Sequence, residues 1–211
     1  MSGILAVWNN RSEAIKREYE HWYNTEHIPE RMALPGFRTA RRFQAVDADR
    51  TFFTYYDLDS PDVMQTPVYK ERLSNPTVQT QSMMPHFSGM VRSVFTEAAR
   101  EGSGFGNGLG AALVVARYMN APPAQLPAAA LNSVDRSEIV SARLWQPSAA
   151  NVRTETAESK TRAEPDGVAS GAIVVETMRA DEAATIAAAL RAAREDGVSV
   201  GTYRLLCAYS A

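Results

Sequence analysis

Two short strings recur in the same order along this chain of 211 residues, and they constrain its fold more than any other feature. Thr39-Ala-Arg-Arg-Phe-Gln44 returns as Ser141-Ala-Arg-Leu-Trp-Gln146, and Gly89-Met-Val-Arg92 returns as Gly201-Thr-Tyr-Arg204, each about half the chain further on. Self-similarity of this kind marks repeated structural units and is read before single elements are assigned. In the first half the hydrophobic periodicity predicts a strand at 4–9, a helix at 12–28, a hairpin of strands at 37–46 and 51–58, a helix at 61–73 and a strand at 90–96. The second half predicts strand 112–118, a short helix near 125–132, strands 139–145 and 172–177, a helix at 181–195 with Gly197 at its C′ position, and strand 202–208. Each half thus reads β-α-β-β-α-β, the ferredoxin-like split unit, whose sheet carries both helices on one face and leaves the other needing cover. The expected fold class is α+β: two ferredoxin-like units, 1–98 and 111–211, packed sheet to sheet as an intramolecular α/β barrel.

Residues 99–110 are the expected linker, because glycines alternate through 102–110. No Gly-x-Gly-x-x-Gly register occurs there, and the run precedes a strand where a nucleotide fingerprint must follow one. The polar stretch 147–170 joins two strands that should pair, and a connection that long is either mobile or functional.

Charge and hydropathy exclude several classes of partner. With 22 Lys+Arg against 24 Asp+Glu the net charge is −2, which provides no basic field for nucleic acid or anionic lipid. No apolar run reaches the roughly 18–20 residues that span a bilayer, and the N-terminal segment lacks a basic and apolar leader pattern. A cytoplasmic protein is expected, acting on a small molecule, with neither nucleic acid nor membrane as partner and with a homodimer left open. The lone Cys207 reads as a structural thiol.

The halves differ in chemistry. Fourteen of the 18 aromatic residues and all three histidines lie in residues 1–105, so a pocket with convergent polar and aromatic groups belongs to the first half. Its densest cluster is Glu18-Tyr-Glu-His-Trp-Tyr-Asn-Thr-Glu-His-Ile-Pro-Glu30. On a regular helical wheel Tyr19, Trp22 and Glu26 share one face with Ile15, because they follow it and one another at three- and four-residue steps. A carboxylate therefore sits within the apolar stripe, while Tyr23 and His27 border it and His21 faces solvent. A carboxylate withdrawn from water needs a partner, and His27 could supply it, the kind of coupling that makes acid/base catalysts. The structural reading stands beside this one: Pro29 disfavours helical geometry at Ile28, so Glu26 and His27 could serve only to pin a helix break.

Trp22-Tyr-Asn-Thr-Glu-His-Ile-Pro-Glu30, with Leu34-Pro-Gly-Phe37 and Ala40-Arg-Arg-Phe43, resembles the EthD-like branch of the dimeric α/β-barrel superfamily over about residues 1–98. The short second-half helix, Gln125-Leu-Pro-Ala-Ala-Ala-Leu-Asn132, lacks the Trp, Glu and His, which implies one active site per chain. The resemblance implies cofactor-free monooxygenases, cyclases, dehydratases and isomerases, or haem-binding enzymes, with a pocket between a sheet and its helices. On this chain Trp22, Tyr23, Glu26 and His27 would roof that pocket. His86, after a proline ahead of the last first-half strand, is a further catalytic candidate, although a loop histidine is as readily structural. Arg41 and Arg42 point to opposite sheet faces; Arg41 is the substrate-binding candidate, and its repeat partner Arg143 equally suggests a structural cation. Trp8 and Tyr56 are candidate pocket walls, like Tyr55 and Tyr69, with core packing as the alternative for each.

Metal ligation lacks a His-Glu-x-x-His or a Cys pair, and no Gly-x-Ser-x-Gly elbow is present. The expected activity is therefore cofactor-independent proton transfer on a small hydrophobic aromatic or lactone-like metabolite. His27 would be the acid or base, Glu26 its orienting partner, and Trp22 and Tyr23 the stacking wall. The alternatives are a haem enzyme with His27 or His86 as axial ligand, or a non-catalytic binding protein.

Overall fold

Alternation along the strands sorts the side chains into three layers. In β1 (Gly3–Arg11) Ile4, Ala6 and Trp8 join one buried cluster while Leu5 joins another on the opposite face. In β3 (Phe52–Leu58) Phe53 and Tyr55 go with the first set, and Phe52, Tyr56 and Leu58 with the second. The computed structural model that shows this describes residues 2–102, 109–152, 155–162, 164–193 and 196–211.

Eight antiparallel strands close into a barrel in the order β1-β3-β2-β8-β5-β7-β6-β4, completed by β2 (Phe37–Asp47), β4 (Phe87–Gly102), β5 (Ala112–Tyr118), β6 (Ile139–Pro147), β7 (Gly171–Thr177) and β8 (Val198–Ser210). Within it the first half contributes β4-β1-β3-β2 and the second half β8-β5-β7-β6. The expectation of two sheets stacked face to face needs one correction: the halves are hydrogen-bonded edge to edge, β2 to β8 and β4 to β6. Closure removes the unpaired edges that two open sheets would each expose. It also lengthens β4, which runs through Gly102 into the expected linker because β6 offers partners as far as Ser141. Residues 103–108 of that linker lie outside the described residues.

An eight-stranded barrel has an interior just wide enough for side chains to fill. Trp8, Phe43, Phe53, Tyr55, Phe95, Trp145 and Tyr203 fill this one. Arg41, expected on a pocket wall, projects here: it donates to Glu176 of the second half (2.6 Å) and to the Tyr55 hydroxyl (2.7 Å). Its repeat counterpart Arg143 pairs with Asp57 (2.6 Å) and Glu97. Trp8 stacks on Phe53 at 4.8 Å in the same interior. The period-2 alternation of a strand decides both placements, so the packed lumen takes these side chains out of reach of any external pocket.

The helices lie outside. Ser12 caps a short 3₁₀ turn, followed by α1 (Lys16–Trp22), a π-helical turn (Tyr23–His27) and α2 (Ile28–Met32). Contrary to expectation, the helix does not break at Pro29. In the π turn the Ile28 N–H bonds the Tyr23 carbonyl, and this reset places Pro29 in the first turn of α2, where a missing N–H leaves nothing unpaired. The helix expected at 61–73 is in two pieces, a 3₁₀ turn at Pro61–Gln65 and α3 (Pro67–Ser74), divided at Thr66, whose extended backbone suits the residue before a proline. Not foreseen were α4 (Val78–Met83), capped by Thr77, and, after α5 (Ala128–Leu131), the single turn α6 (Ala157–Lys160). α7 (Ala180–Ala192) ends before Gly197, whose φ of +75° serves the turn into β8 instead. Gly36 (φ +90°) turns the chain into β2, and a Cβ there would stand 2.5 Å from the Val63 side chain.

Candidate active site

Because the lumen is filled, open space lies between the first-half sheet and its helices. A cavity of about 780 Å³, part of it open to solvent, is floored by Leu5, Val7, Tyr56, Phe87, Met90 and Arg92. Trp22, Tyr23, His27 and Arg31 roof it, with Tyr69 and Leu73 of α3 at one side. The remaining wall comes from the second half: Val152, Thr156, Glu158, Ser159, Arg162, Asp166 and Val168.

The π turn explains the roof. A wider turn rotates less per residue than an α-helix, so the row of side chains runs Trp22, His27, Arg31. The His27 ring lies 4.5 Å from Trp22 and 5.0 Å from Tyr23, centroid to centroid. Glu26, which a regular helix would place mid-stripe, swings to the side under α4. There its Oε1 accepts from the Trp22 indole and the Thr80 hydroxyl (3.2 Å each) and from the Thr77 hydroxyl. The expected Glu26–His27 partnership is thus replaced: Glu26 holds the Trp22 ring, and His27 Nδ1 is buried without a hydrogen-bond partner among the described residues.

The stretch 147–170 covers the cavity as a docked segment. Gly167 exchanges backbone hydrogen bonds with Met90 (2.7 Å) and Arg92 (3.0 Å), and Asn151 bonds the Val94 N–H (2.8 Å) and the Ala169 carbonyl (2.8 Å). Thr156 and Ser159 form a capping box for α6, which sets Glu158 against Arg31 at 2.8 Å. Arg162 makes a bidentate pair with Asp166 (2.9 and 2.8 Å). Arg31 and Glu158 are both largely buried, and removing one partner of such a pair leaves an uncompensated charge. Glu158→Gln is expected to loosen the cover and raise tryptic cleavage at Lys160 and Arg162 about fivefold or more. An unchanged digestion time course would show that the backbone bonds alone hold it.

Electrostatics single out His27. Burial and the fields of Arg31, Arg162, Arg42 and Arg72 hold its imidazole well below the usual histidine range. The ring is therefore neutral at neutral pH. Burial also pushes the Tyr56 phenol well above its ordinary value, so its hydroxyl stays protonated; it too has no hydrogen-bond partner among the described residues. The unfolded chain binds a proton at His27 near pH 6.5 while the folded one does not, so stability rises with pH through the window below 6.5. Lowering the pH from 7 to 5 is expected to destabilise the wild type more than His27→Gln, read as the difference in melting temperature at the two pH values. Equal losses would mean that His27 does not titrate differently on folding.

Of the residues singled out from sequence, Trp22, Tyr23, His27, Tyr56 and Tyr69 meet on this cavity. Glu26 stands behind it, while Trp8 and Arg41 are in the barrel interior. His86 ends the 3₁₀ turn before β4 and is not on the cavity wall. Arg42 lies on the helix side, paired with Glu20 (2.5 Å) and 4.2 Å from the Tyr23 ring. Sequence reasoning missed Arg31, Arg92, Arg162, Glu158 and Asp166. Arg31 is four residues past His27, but an expected break at Pro29 hid that relation; Arg92 was readable from strand alternation with Val91 inward.

An eight-stranded antiparallel barrel with helices outside it has the fold of the dimeric α/β-barrel proteins. No family model matches the chain, and no curated protein does. Among solved structures it is similar to an anthrone oxidase-like protein, with a TM-score of 0.57 and 8% identity over 99% of this chain and 92% of that one. It is also similar to a candidate monooxygenase from Lactobacillus acidophilus (TM-score 0.53, 7% identity, 100% and 97% covered). A chlorite dismutase variant from Candidatus Nitrospira defluvii aligns with a TM-score of 0.51 and 8% identity over 96% and 90%. These likenesses show the fold.

Proposed function

We propose that the chain is a cofactor-independent acid/base enzyme of the EthD-like branch, built by tandem duplication of a ferredoxin-like unit. Its substrate would be a small hydrophobic aromatic or lactone-like metabolite. The duplication is supported by the matching strand orders of the two halves. The observation that carries the function is His27: a neutral imidazole on an aromatic-walled, covered cavity, with arginines around it.

In this reading the substrate ring rests against Trp22, Tyr23 and Phe87. His27 exchanges a proton with an acidic C–H or phenolic O–H on the substrate. The arginine field that keeps His27 neutral equally stabilises a substrate anion, so donor and acceptor fall together in pKa. Isomerisation and dehydration follow from returning that proton elsewhere; oxygenation by molecular oxygen would start from the same anion. The structures named as monooxygenase and anthrone oxidase-like favour the last on fold alone. Glu26, through Trp22, is a positioning residue.

The residues beside His27 argue against a haem. His86 is off the cavity, and the space next to His27 is bounded by Trp22, Tyr23 and the Arg31–Glu158 and Arg162–Asp166 pairs, which a planar macrocycle would have to displace. Haemin reconstitution is expected to give no stoichiometric Soret band that His27→Ala abolishes. To test the proposal, a metabolite extract is passed over the protein and the retained compound identified by mass spectrometry. That compound should be aromatic or lactone-like, and the wild type should convert it, with oxygen uptake or solvent-deuterium incorporation separating oxygenation from proton transfer. Retention of a compound that is never converted would leave a binding protein.

A further inference from the structure

The cavity holds three arginines and two carboxylates, and their pairing is uneven. Arg31 is matched by Glu158, and Arg162 by Asp166. Arg92 forms no ion pair among the described residues: its Nη2 donates to the Tyr69 hydroxyl at 2.8 Å and lies 3.6 Å from the Met64 sulfur. A part-buried guanidinium with only neutral partners retains unused donors in a fixed fork, the geometry that suits a carboxylate. A second polar group nearby is also unsatisfied. Tyr56 is 2% exposed, lines the same cavity, and its hydroxyl has no hydrogen-bond partner among the described residues.

The sheet register puts these two groups on one face of the sheet, toward the same cavity. Arg92 of β4 pairs with Val7, and Tyr56 of β3 pairs with Leu5 on the other side of β1, so both stand on the helix-facing side of the sheet across one strand. Tyr69 links them: Arg92 bonds its hydroxyl, and Phe37 packs against both Tyr69 (6.0 Å) and Tyr56 (5.5 Å). The surrounding floor is apolar, made by Leu5, Val7 and Met90.

We infer that Arg92 and Tyr56 form an anion subsite that receives a carboxylate carried on the apolar, aromatic body of the substrate. The inference rests on reading the cavity as the substrate site and adds the substrate class: an aromatic or lactone-like carboxylic acid. A monoanion fits better than a phosphate, because among the described lining residues only one of the three guanidiniums lacks a carboxylate and a dianion would leave charge uncompensated in a partly enclosed space. The carboxylate would also fix which atom of the ring system faces His27.

Isothermal titration calorimetry of the full chain with 1-naphthoate and its neutral isostere 1-naphthamide tests this. Naphthoate is expected to bind about tenfold or more tightly than the amide, as for a hydrogen-bonded charge. Arg92→Met should reduce that ratio below about threefold, with Tyr56→Phe weakening naphthoate alone. Should Arg92→Met fail to fold by circular dichroism, Arg92→Lys decides, since it keeps the charge but loses the fork and should show an intermediate ratio. Equal affinity for the two probes in the wild type overturns the subsite while leaving the enzyme proposal standing. A preference that survives Arg92→Met, or that only Arg162→Met removes, also overturns it. Failure of both probes to bind would remove the subsite and the cavity reading together. Conversely, an Arg92-dependent preference with conversion unaffected by His27→Ala would keep the subsite and reject His27 as the acid/base group.

Discussion

His27→Ala is expected to leave the barrel folded and to lower conversion of the substrate about 10²–10⁴-fold, the usual contribution of a general acid/base group. The residue is half-buried on the cavity wall and Nδ1 makes no hydrogen bond among the described residues, so its loss removes chiefly ring packing against Trp22 and Tyr23. Melting should therefore fall by only a few degrees, about 2–4 °C per kcal/mol for a chain of this size. Glu26→Gln should behave differently. Its carboxylate ties the Trp22 indole to Thr77 and Thr80 across the α1–α4 contact. Weakening those charge-assisted bonds should lower the melting temperature and raise KM more than it lowers kcat. Melting curves alongside turnover for both variants decide the matter. A large melting loss for His27→Ala, with conversion per folded molecule unchanged, would reduce the Trp-Tyr-x-x-Glu-His-x-Pro string to a device that shapes the helix.

Arg41→Met is expected to be the most destabilising single change, at about 3–5 kcal/mol. The side chains of Arg41 and Glu176 are 6% and 1% exposed, and Glu176 also accepts from Tyr55 (2.9 Å) and from the Gly110 N–H (2.9 Å). Removing the guanidinium leaves a carboxylate buried in the barrel, with neutral donors only. The corresponding melting loss is about 6–20 °C. Arg41→Met combined with Glu176→Gln should recover most of it, since the penalty lies in the orphaned charge and not in the missing pair. Turnover per folded molecule should stay at the wild-type level, because Arg41 lies on the other side of the sheet from the cavity. A loss below about 2 °C, or a double variant no better than the single one, would contradict this account of the interior.

The period-2 alternation of Thr39-Ala-Arg-Arg-Phe-Gln44 and of its echo at 141–146 was enough to separate Arg41 from Arg42. It could not say which face was lumen and which was pocket. That depends on how β2 and β4 find β8 and β6, pairings between residues far apart in the chain that no local pattern encodes. The short repeats agree with the strand order of each half, and the clustering of aromatics and histidines before residue 105 pointed to the half whose sheet and helices floor and roof the cavity. Trp22, Tyr23 and His27 were legible because an amphipathic helix must turn that face to a sheet.

Local rules misplaced Glu26, since a regular helical wheel cannot foresee a π turn, and the same turn carried the helix past Pro29 to bring in Arg31. The arginines and carboxylates of 147–170 were invisible for a different reason: a polar connection has no periodicity, and its position is set by the partners it docks on, here Met90, Arg92 and Arg31. Sequence alone thus determined the strands, their order in each half and the aromatic, histidine-bearing face, because these follow from side-chain periodicity and backbone propensity. Only the tertiary structure decided the closure of the barrel, the burial of His27 among arginines and the placing of Arg92 and Tyr56 on one cavity, because each arises from distant segments brought together in space.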